Sequence, residues 1–378
     1  MLTDDTAALL RLILAGGASA PRRQLLEHHA SPAAALAAGT RAWKDCALSD
    51  AQVAALRQDD PTALVAVRAW LDEPDHHLLG WHDPDYPPQL RRSPSPPLAL
   101  FVAGDPTRLW HPAVAVVGSR SPTPGGRDNA RDFAHALAAA GLAVVSGLAA
   151  GVDTAAHEAA LATGGLTVAV LGTGPDVPYP HANAGLHARI AAAGAVVSEH
   201  LPGTGPRKEH FPSRNRILAG LALGTVVIEA AQRSGALITA RQAGEAGREV
   251  FAVPGSIHNP LARGCHRLIR DGAGLVEHAQ EVIDALAPLA SELAGDLRTR
   301  LATPISGGHG NVTRRRQDEA HGDPDYQSLW SALGHDPTGM DQLVERTGLT
   351  AAEVSSMLLL MELDGRVATQ HGRYFRNR

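Results

Sequence analysis

Leu142 to Gly172 reads LAVVSGLAAGVDTAAHEAALATGGLTVAVLG. Its two ends, LAVVSG and LTVAVLG, are apolar at nearly every position, as strands buried on both faces must be. Between them, Val152 to Thr163 reads as a helix. Strand, helix and strand in succession make a βαβ unit, whose two strands run parallel. The same alternation extends outward. Upstream, AVAVVG precedes a helix near Gly126 to Ala140. Downstream come helices over Asn183 to Ala193, Ser213 to Leu223, Leu237 to Gly247 and Arg263 to Asp271, separated by AVVSEH, TVVIEA and EVFAVPG. Residues 77–287 therefore predict a doubly wound, parallel α/β sheet. Such sheets bind ligands at the C-terminal ends of their strands.

Five loops at those ends share one chemistry. VVGSR places Ser119 and Arg120 after its strand; VSGLAAGVD carries Ser146, Gly147 and Gly151; LGTGPDVPYP follows; then SEHLPGTGPRKEHFPSRNR; then EAAQRSGALITA, with Ser234, Gly235 and Thr239. Glycines bring backbone N–H groups close to a ligand, and hydroxyls and arginines add donors, so the five make a phosphate-binding shelf. The fourth loop runs into PRKEHFPSRNRILAGL, Pro206 to Leu221. It sets Arg207, Lys208, Arg214 and Arg216 around Phe211, with only Glu209 opposing them. Pro212 predicts a helix start that would put Asn215 and both RNR arginines in the first turn, where free N–H groups favour an anion. Cations beside one aromatic suit a backbone phosphate next to an exposed base. A solvated basic helix end with a core Phe is the alternative from this stretch alone.

Enzyme signatures are missing. A dinucleotide site needs GxGxxG after the first strand and an acid ending the next. VGSRSPTPGG does not match, LGTGPD has Asp176 at the third glycine, and LAVVSG ends without an acid. The Walker loop GxxxxGK[ST] is also absent. The 19 His show no metal spacing such as HExxH, and His157 reads as a packing or capping residue. Neither metal nor cofactor is expected. The net charge of −5 requires any nucleic-acid function to rest on a local patch. Cys46 and Cys265 fit a reducing cytosol, and no apolar run is long enough for a membrane span, so the chain is expected in the cytoplasm.

The flanks differ in kind. Residues 1–76 read as short helices, with an apolar stripe of Leu9, Leu10, Ile13 and Leu14 closed by Gly16-Gly17, and with Ser31-Pro32 and Asp60-Pro61 as helix starts. A docking module and a structural cap fit equally. Residues 288–322, with ISGGHGN and TRRRQDEAHGD, read as a linker. Three helices, the last opened by a Thr350/Glu353 capping box, and the hairpin RVATQHGRYFR suggest a winged-helix domain over 323–378. Its tip carries Arg366, Arg373, Arg376 and Arg378, but Thr350 to Leu363 has no Lys or Arg. Docking or dimer support is favoured over reading a duplex.

The motifs in order resemble the DNA-processing protein A family, also called Smf. They are YPPQLRRSPSPPLALFVAG, VAVVGSR, VVSGLAAGVDTAAHEAAL, VAVLGTGPDVPYPHAN, SEHLPG with FPSRNRILAGL, and VVIEAAQRSGALITARQAGEAGREVFAVPG. One departure is His266 in GCHRLIRDGA, where the family more often has Asn. The resemblance implies an extended Rossmann-like core between a SAM-like helical domain and a winged-helix-like domain. It implies no catalysis. It further implies homodimers that bind single-stranded DNA without sequence preference, protect it and load RecA onto it, with a single-strand binding protein as a further partner. Carried onto this chain, the pocket falls on Arg120, Lys208 and Phe211, completed by Ser146, Gly147, Arg214 and Arg216. The competing reading is a nucleotide phosphoribohydrolase using Glu229 at a strand end, although IEAAQRSGALIT lacks the expected PGGxGT-type loop.

Overall fold

The computed structural model of the protein describes residues 3–58, 61–302, 324–333, 338–363, 366–370 and 373–376. The chain divides into two compact units, Met1–Ala302 and Thr303–Arg378. The first is built on a nine-stranded sheet. Its strands are β1 (His76–Gly80), β2 (Ala99–Gly104), β3 (Ala113–Gly118), β4 (Ala143–Ser146), β5 (Thr167–Leu171), β6 (Ala195–Ser198), β7 (Gly224–Ile228), β8 (Glu249–Ala252) and β9 (Gly274–Leu275), in the spatial order β1-β2-β6-β5-β4-β3-β7-β8-β9. Strands β3 to β9 are mutually parallel, as expected. Strands β1 and β2 add an antiparallel margin, making the sheet mixed. The end of the YPPQLRRSPSPPLALFVAG motif, ALFVAG, forms β2.

The winding follows from the right-handed crossover rule. From β3 the chain steps through β4, β5 and β6 with Pro124–Ala139, Val152–Ala162 and Ala184–Ala193 as connecting helices. It then returns past β3 to β7, through His210–Leu221, and proceeds to β8 and β9 through Gly235–Glu245 and Arg263–Arg270. Reversing the direction of travel moves the helices to the opposite face. One face accordingly buries Phe133, Leu137 and Ala156 on Val114, Val116 and Val144. The other buries Ile217, Leu218 and Ala240 on Val117, Val145 and Val227. Reversal at β3 and β7 creates the crevice where doubly wound sheets hold ligands.

The N-terminal helices share that core. Leu10, Val67 and Trp70 are buried in one cluster with Phe101, Ala103 and Val196 of the sheet. Ser31 caps Pro32–Ala37 as predicted, its hydroxyl accepting from Ala34 N–H at 3.3 Å. Asp60 lies outside the described residues, and its helix starts at Pro61. Residues 288–302, expected to open a linker, are helical instead. A helix runs Ala279–Ala302 straight through Pro288, because ALAPLASELAGDL is rich in strong helix formers. Residues 303–323, including TRRRQDEAHGD, lie outside the described residues.

The second unit contains helices Pro324–Leu333, Met340–Thr347 and Ala351–Leu363. Its three-stranded sheet has the order β10 (Thr338–Gly339), β12 (Arg373–Arg376), β11 (Val367–Gln370). The capping box is present: Thr350 N–H donates to Glu353 at 2.8 Å, and Glu353 N–H donates to the Thr350 hydroxyl at 3.3 Å. Strands β11 and β12 form the expected hairpin, so this is a winged helix. The guanidinium groups of Arg366 and Arg376 each lie 4.4 Å from the Trp330 ring centre. Arg378 lies outside the described residues.

Candidate nucleic-acid interface

The helix after Phe211 starts earlier than predicted. It spans His210–Leu221 with Glu209 as its N-cap, which moves Arg214, Asn215 and Arg216 out of the first turn. Pro212 is accommodated because a residue in the first turn has no intrahelical acceptor for an N–H. From the second turn Arg214 points into the protein and is 5% exposed. Its guanidinium donates to the carbonyls of Gly147, at 2.8 Å, and Val170, and its Nε donates to Asn215 Oδ1 at 3.1 Å. Burial pulls its pKa down to about 10, against the pull of Asp153, so it stays charged at neutral pH. Burial also raises the Asp153 pKa, although Asp153 accepts from Gly147 N–H at 3.0 Å and Ala149 N–H at 3.2 Å. Gly147 thus serves both charges, its oxygen taking Arg214 and its nitrogen giving to Asp153. A Cβ there would lie 2.4 Å from the guanidinium, so any larger residue would displace Arg214.

Several other predicted site residues also belong to the frame. The Ser146 hydroxyl is buried and donates to Val116 O at 2.6 Å. Arg216 pairs with Glu199 and donates to Ser95 O at 2.6 Å, so its charge is already matched. Asn215, 8% exposed, donates to Gly235 O at 3.3 Å. Ser234 caps Gly235–Glu245 through Ala236 N–H, and Thr239 is buried one turn on. Ser119 is nearly buried, with its hydroxyl accepting from Ser121 N–H at 3.1 Å.

Arg120, Lys208 and Phe211 stand differently. Arg120 and Lys208 are exposed and Phe211 is half-buried. The Arg120 guanidinium sits 5.8 Å from the Phe211 ring centre. One edge of Phe211 packs at Gly172, where a Cβ would come within 3.1 Å of the ring. Tyr179 adds a second aromatic, its ring centre 5.3 Å from that of Phe211 at 39°. Tyr179 is 44% exposed. Its signal in the sequence is slight: it is one of four Tyr and lies in a strand-end loop. The support is specific. Gly151, at φ +85°, lets the chain fold against the Arg120 loop, since a Cβ there would lie 2.4 Å from Ser119 O and 2.6 Å from Arg120 O. Behind Phe211, His210 bonds to Gly172 O at 3.1 Å and stacks on His200 at 3.9 Å. Burial, then the charges of His210 and nearby arginines, pulls His200 down to about 4.

The crevice between β3 and β7 is filled by the protein's own acid. Glu229, held at φ +50°, accepts from Thr123 N–H at 2.7 Å, the Thr123 hydroxyl at 2.6 Å and Asn259 Nδ2 at 3.0 Å. A cavity of about 180 Å³ remains beside it, lined by Gly126, Asn129 and Pro254 among others. A carboxylate carrying three donors at a helix start is a structural tie. His157, fully buried, bonds to Thr167 Oγ1 at 2.7 Å and packs as predicted.

A mixed, doubly wound sheet with cations and aromatic rings at its strand ends and a winged helix in the second unit define a two-unit α/β protein. The chain belongs to the family described as DNA recombination-mediator protein A, whose sequence model matches residues 77–287, and a model for the DprA winged helix domain matches 313–373. It is 40% identical to Protein Smf of Escherichia coli over 314 residues, 82% of this chain and 79% of that one. It is 50% identical to the DNA processing protein DprA of Streptococcus pneumoniae over 201 residues, 53% of this chain and 71% of that one. The crystal structure of the S. pneumoniae protein superposes with a TM-score of 0.66 at 38% identity, covering 75% of this chain and 98% of that one. The structure of DNA processing protein A from Helicobacter pylori, described for its single-stranded DNA binding mode, matches with a TM-score of 0.51 at 29% identity, over 56% and 96% of the two chains.

Proposed function

We propose that this protein binds single-stranded DNA without reading its sequence, at the shelf formed by Arg120, Lys208, Phe211 and Tyr179. The observation that carries this is the exposed guanidinium of Arg120 beside the Phe211 and Tyr179 rings. Cations hold phosphates, and the rings offer faces to bases of any identity. Arg214, Ser146, Gly147, Asn215 and Thr239 position this shelf from beneath. The role we infer is non-catalytic, and the three donors that already occupy Glu229 support that reading. The family relation and the H. pylori binding mode support the same reading.

A pocket with so few cations is weak, so the protein acts as a homodimer in which two pockets on one strand gain by effective concentration. The dimer protects incoming strands and hands them to RecA, including strands coated by a single-strand binding protein. The first test is fluorescence anisotropy with oligothymidylate and with a blunt duplex. The single strand should bind more tightly, with a salt slope of roughly −0.7 per phosphate neutralised. Equal affinity for the duplex would refute the single-strand preference. For the loading step, the protein should shorten the lag of RecA assembly on coated strands, and an unchanged lag removes that role alone.

A further inference from the structure

Beyond Arg120, the shelf continues over the ends of β7 and β8. Two stretches meet there, Ala230 to Arg241 and Val253 to Arg270, and neither contains an acidic residue, in a chain of net charge −5. They are sutured together. Gly264 N–H donates to Ala230 O at 2.8 Å, and Asn259 donates to Glu229 at 3.0 Å. His266 bonds to Gly255 O at 2.9 Å, which gives this departure from the family pattern a local structural role. Arg233 and Arg263 are exposed and form no ion pair among the described residues.

Beside them, Ile257 is 75% exposed, more than any other large apolar side chain described. It is not on a loose loop. Asn259 N–H closes a turn onto Ser256 O at 2.9 Å, His258 N–H donates to the Ser256 hydroxyl at 3.2 Å, and Leu261 N–H donates to Asn259 Oδ1 at 2.9 Å. A well-bonded turn thus holds an isoleucine in water, on a loop that His266 ties to the helix carrying Arg263. Single exposed apolar residues are ordinary. This one shares the next strand ends with exposed arginines, as the aromatic rings share theirs with Arg120.

We propose that the bound strand continues from the Arg120 pocket across β7 to β8, a lateral distance of about 10 Å at the usual strand spacing. Arg233 and Arg263 hold its phosphates there, and Ile257 contacts a base, as apolar side chains do when inserted beside bases. This rests on the single-strand reading above and adds a second subsite to it.

The test measures anisotropy with two oligothymidylates, of about four and about ten nucleotides, spanning the range of single-strand site sizes. The Arg233→Ala/Arg263→Ala double variant should bind the longer strand with a salt slope less steep by about 1.4, two contacts at about 0.7 each. Ile257→Asp should weaken the longer strand by about fivefold or more. Both variants should bind the shorter strand as wild type does, and both should keep the wild-type melting temperature, since all three side chains are exposed. Arg120→Ala should weaken both lengths. Wild-type slope and affinity of both variants on the longer strand would overturn the second subsite and leave the first intact. Failure of the wild type to bind either length would overturn the underlying reading and this inference with it.

Discussion

Arg120 and Arg214 carry the same charge, and burial assigns them opposite work. Arg120 faces solvent beside an aromatic ring, and Arg214 is sealed under the loop that supports it. Lys208→Ala should therefore lower single-strand affinity, flatten the salt slope by about 0.7 and leave the melting temperature unchanged. Phe211→Ala should cost about 1–3 kcal/mol of binding with little change in slope. A melting temperature that falls before affinity does would mark Phe211 as a packing residue instead. Arg214→Ala should behave as a stability variant. It leaves the Gly147 and Val170 carbonyls and buried Asp153 without their partner, a loss of about 3–5 kcal/mol readable in a urea melt. His157 supplies a pH test. Burial holds it at about 3, whereas an unfolded imidazole titrates near about 6.5. The unfolded chain takes up the proton first as pH falls. Stability is complete above about pH 6.5 and declines toward pH 3, by at most about 1.4 kcal/mol per unit. His200, held at about 4, acts with the same sign. In urea melts between pH 6.5 and 4.5, His157→Gln should lose less stability on acidification than wild type. An equal loss would contradict the assignment.

Among the elements, the ends of β3 and β7 matter most, because Glu229 ties one to the other. The Thr123 amide and hydroxyl it holds lie three residues from Arg120. Glu229→Ala should free residues 119–123 and speed their amide exchange, at a stability cost of about 1–3 kcal/mol. It should weaken DNA binding without touching DNA. Glu229→Gln, which keeps an acceptor, should lose less. If exchange at 119–123 is unaltered in Glu229→Ala, the tie does not position Arg120. Element type was legible in the sequence because strands buried on both faces read as unbroken apolar runs. Boundaries were less so. Pro212 looked like the first residue of its helix, yet His210 and Phe211 extend the helix upstream, since proline is compatible with any first-turn position. Pro288 looked like part of a linker, yet Ala and Leu on both sides carry the helix through it. The antiparallel strand β2 hid in a proline-rich motif, and its partner β6 is remote in sequence.

For the whole molecule, the two compact units predict separable roles. A chain ending at Ala302 retains the complete sheet and its clusters. It should bind short oligothymidylate as the full chain does, as anisotropy on the two proteins would measure. A large loss would place the winged helix in the primary interface. Much of this protein was determined by its sequence alone: the order of β3 to β8 and the helices between them, the winged helix, the family, and the gathering of Gly, Ser and Arg at strand ends. Those features are local or periodic, so neighbouring residues suffice to specify them. Tertiary structure decided which of the gathered residues face outward. Arg120, Lys208, Phe211 and Tyr179 reach the surface, while Arg214, Ser146, Asn215 and Thr239 turn inward and Arg216 meets Glu199. The partners that make this choice are Gly147, Val170, Asp153, Gly235 and Ser95, and they come from other loops. A charge buries only where distant backbone supplies its hydrogen bonds, and that supply exists only once the sheet has brought the strand ends together.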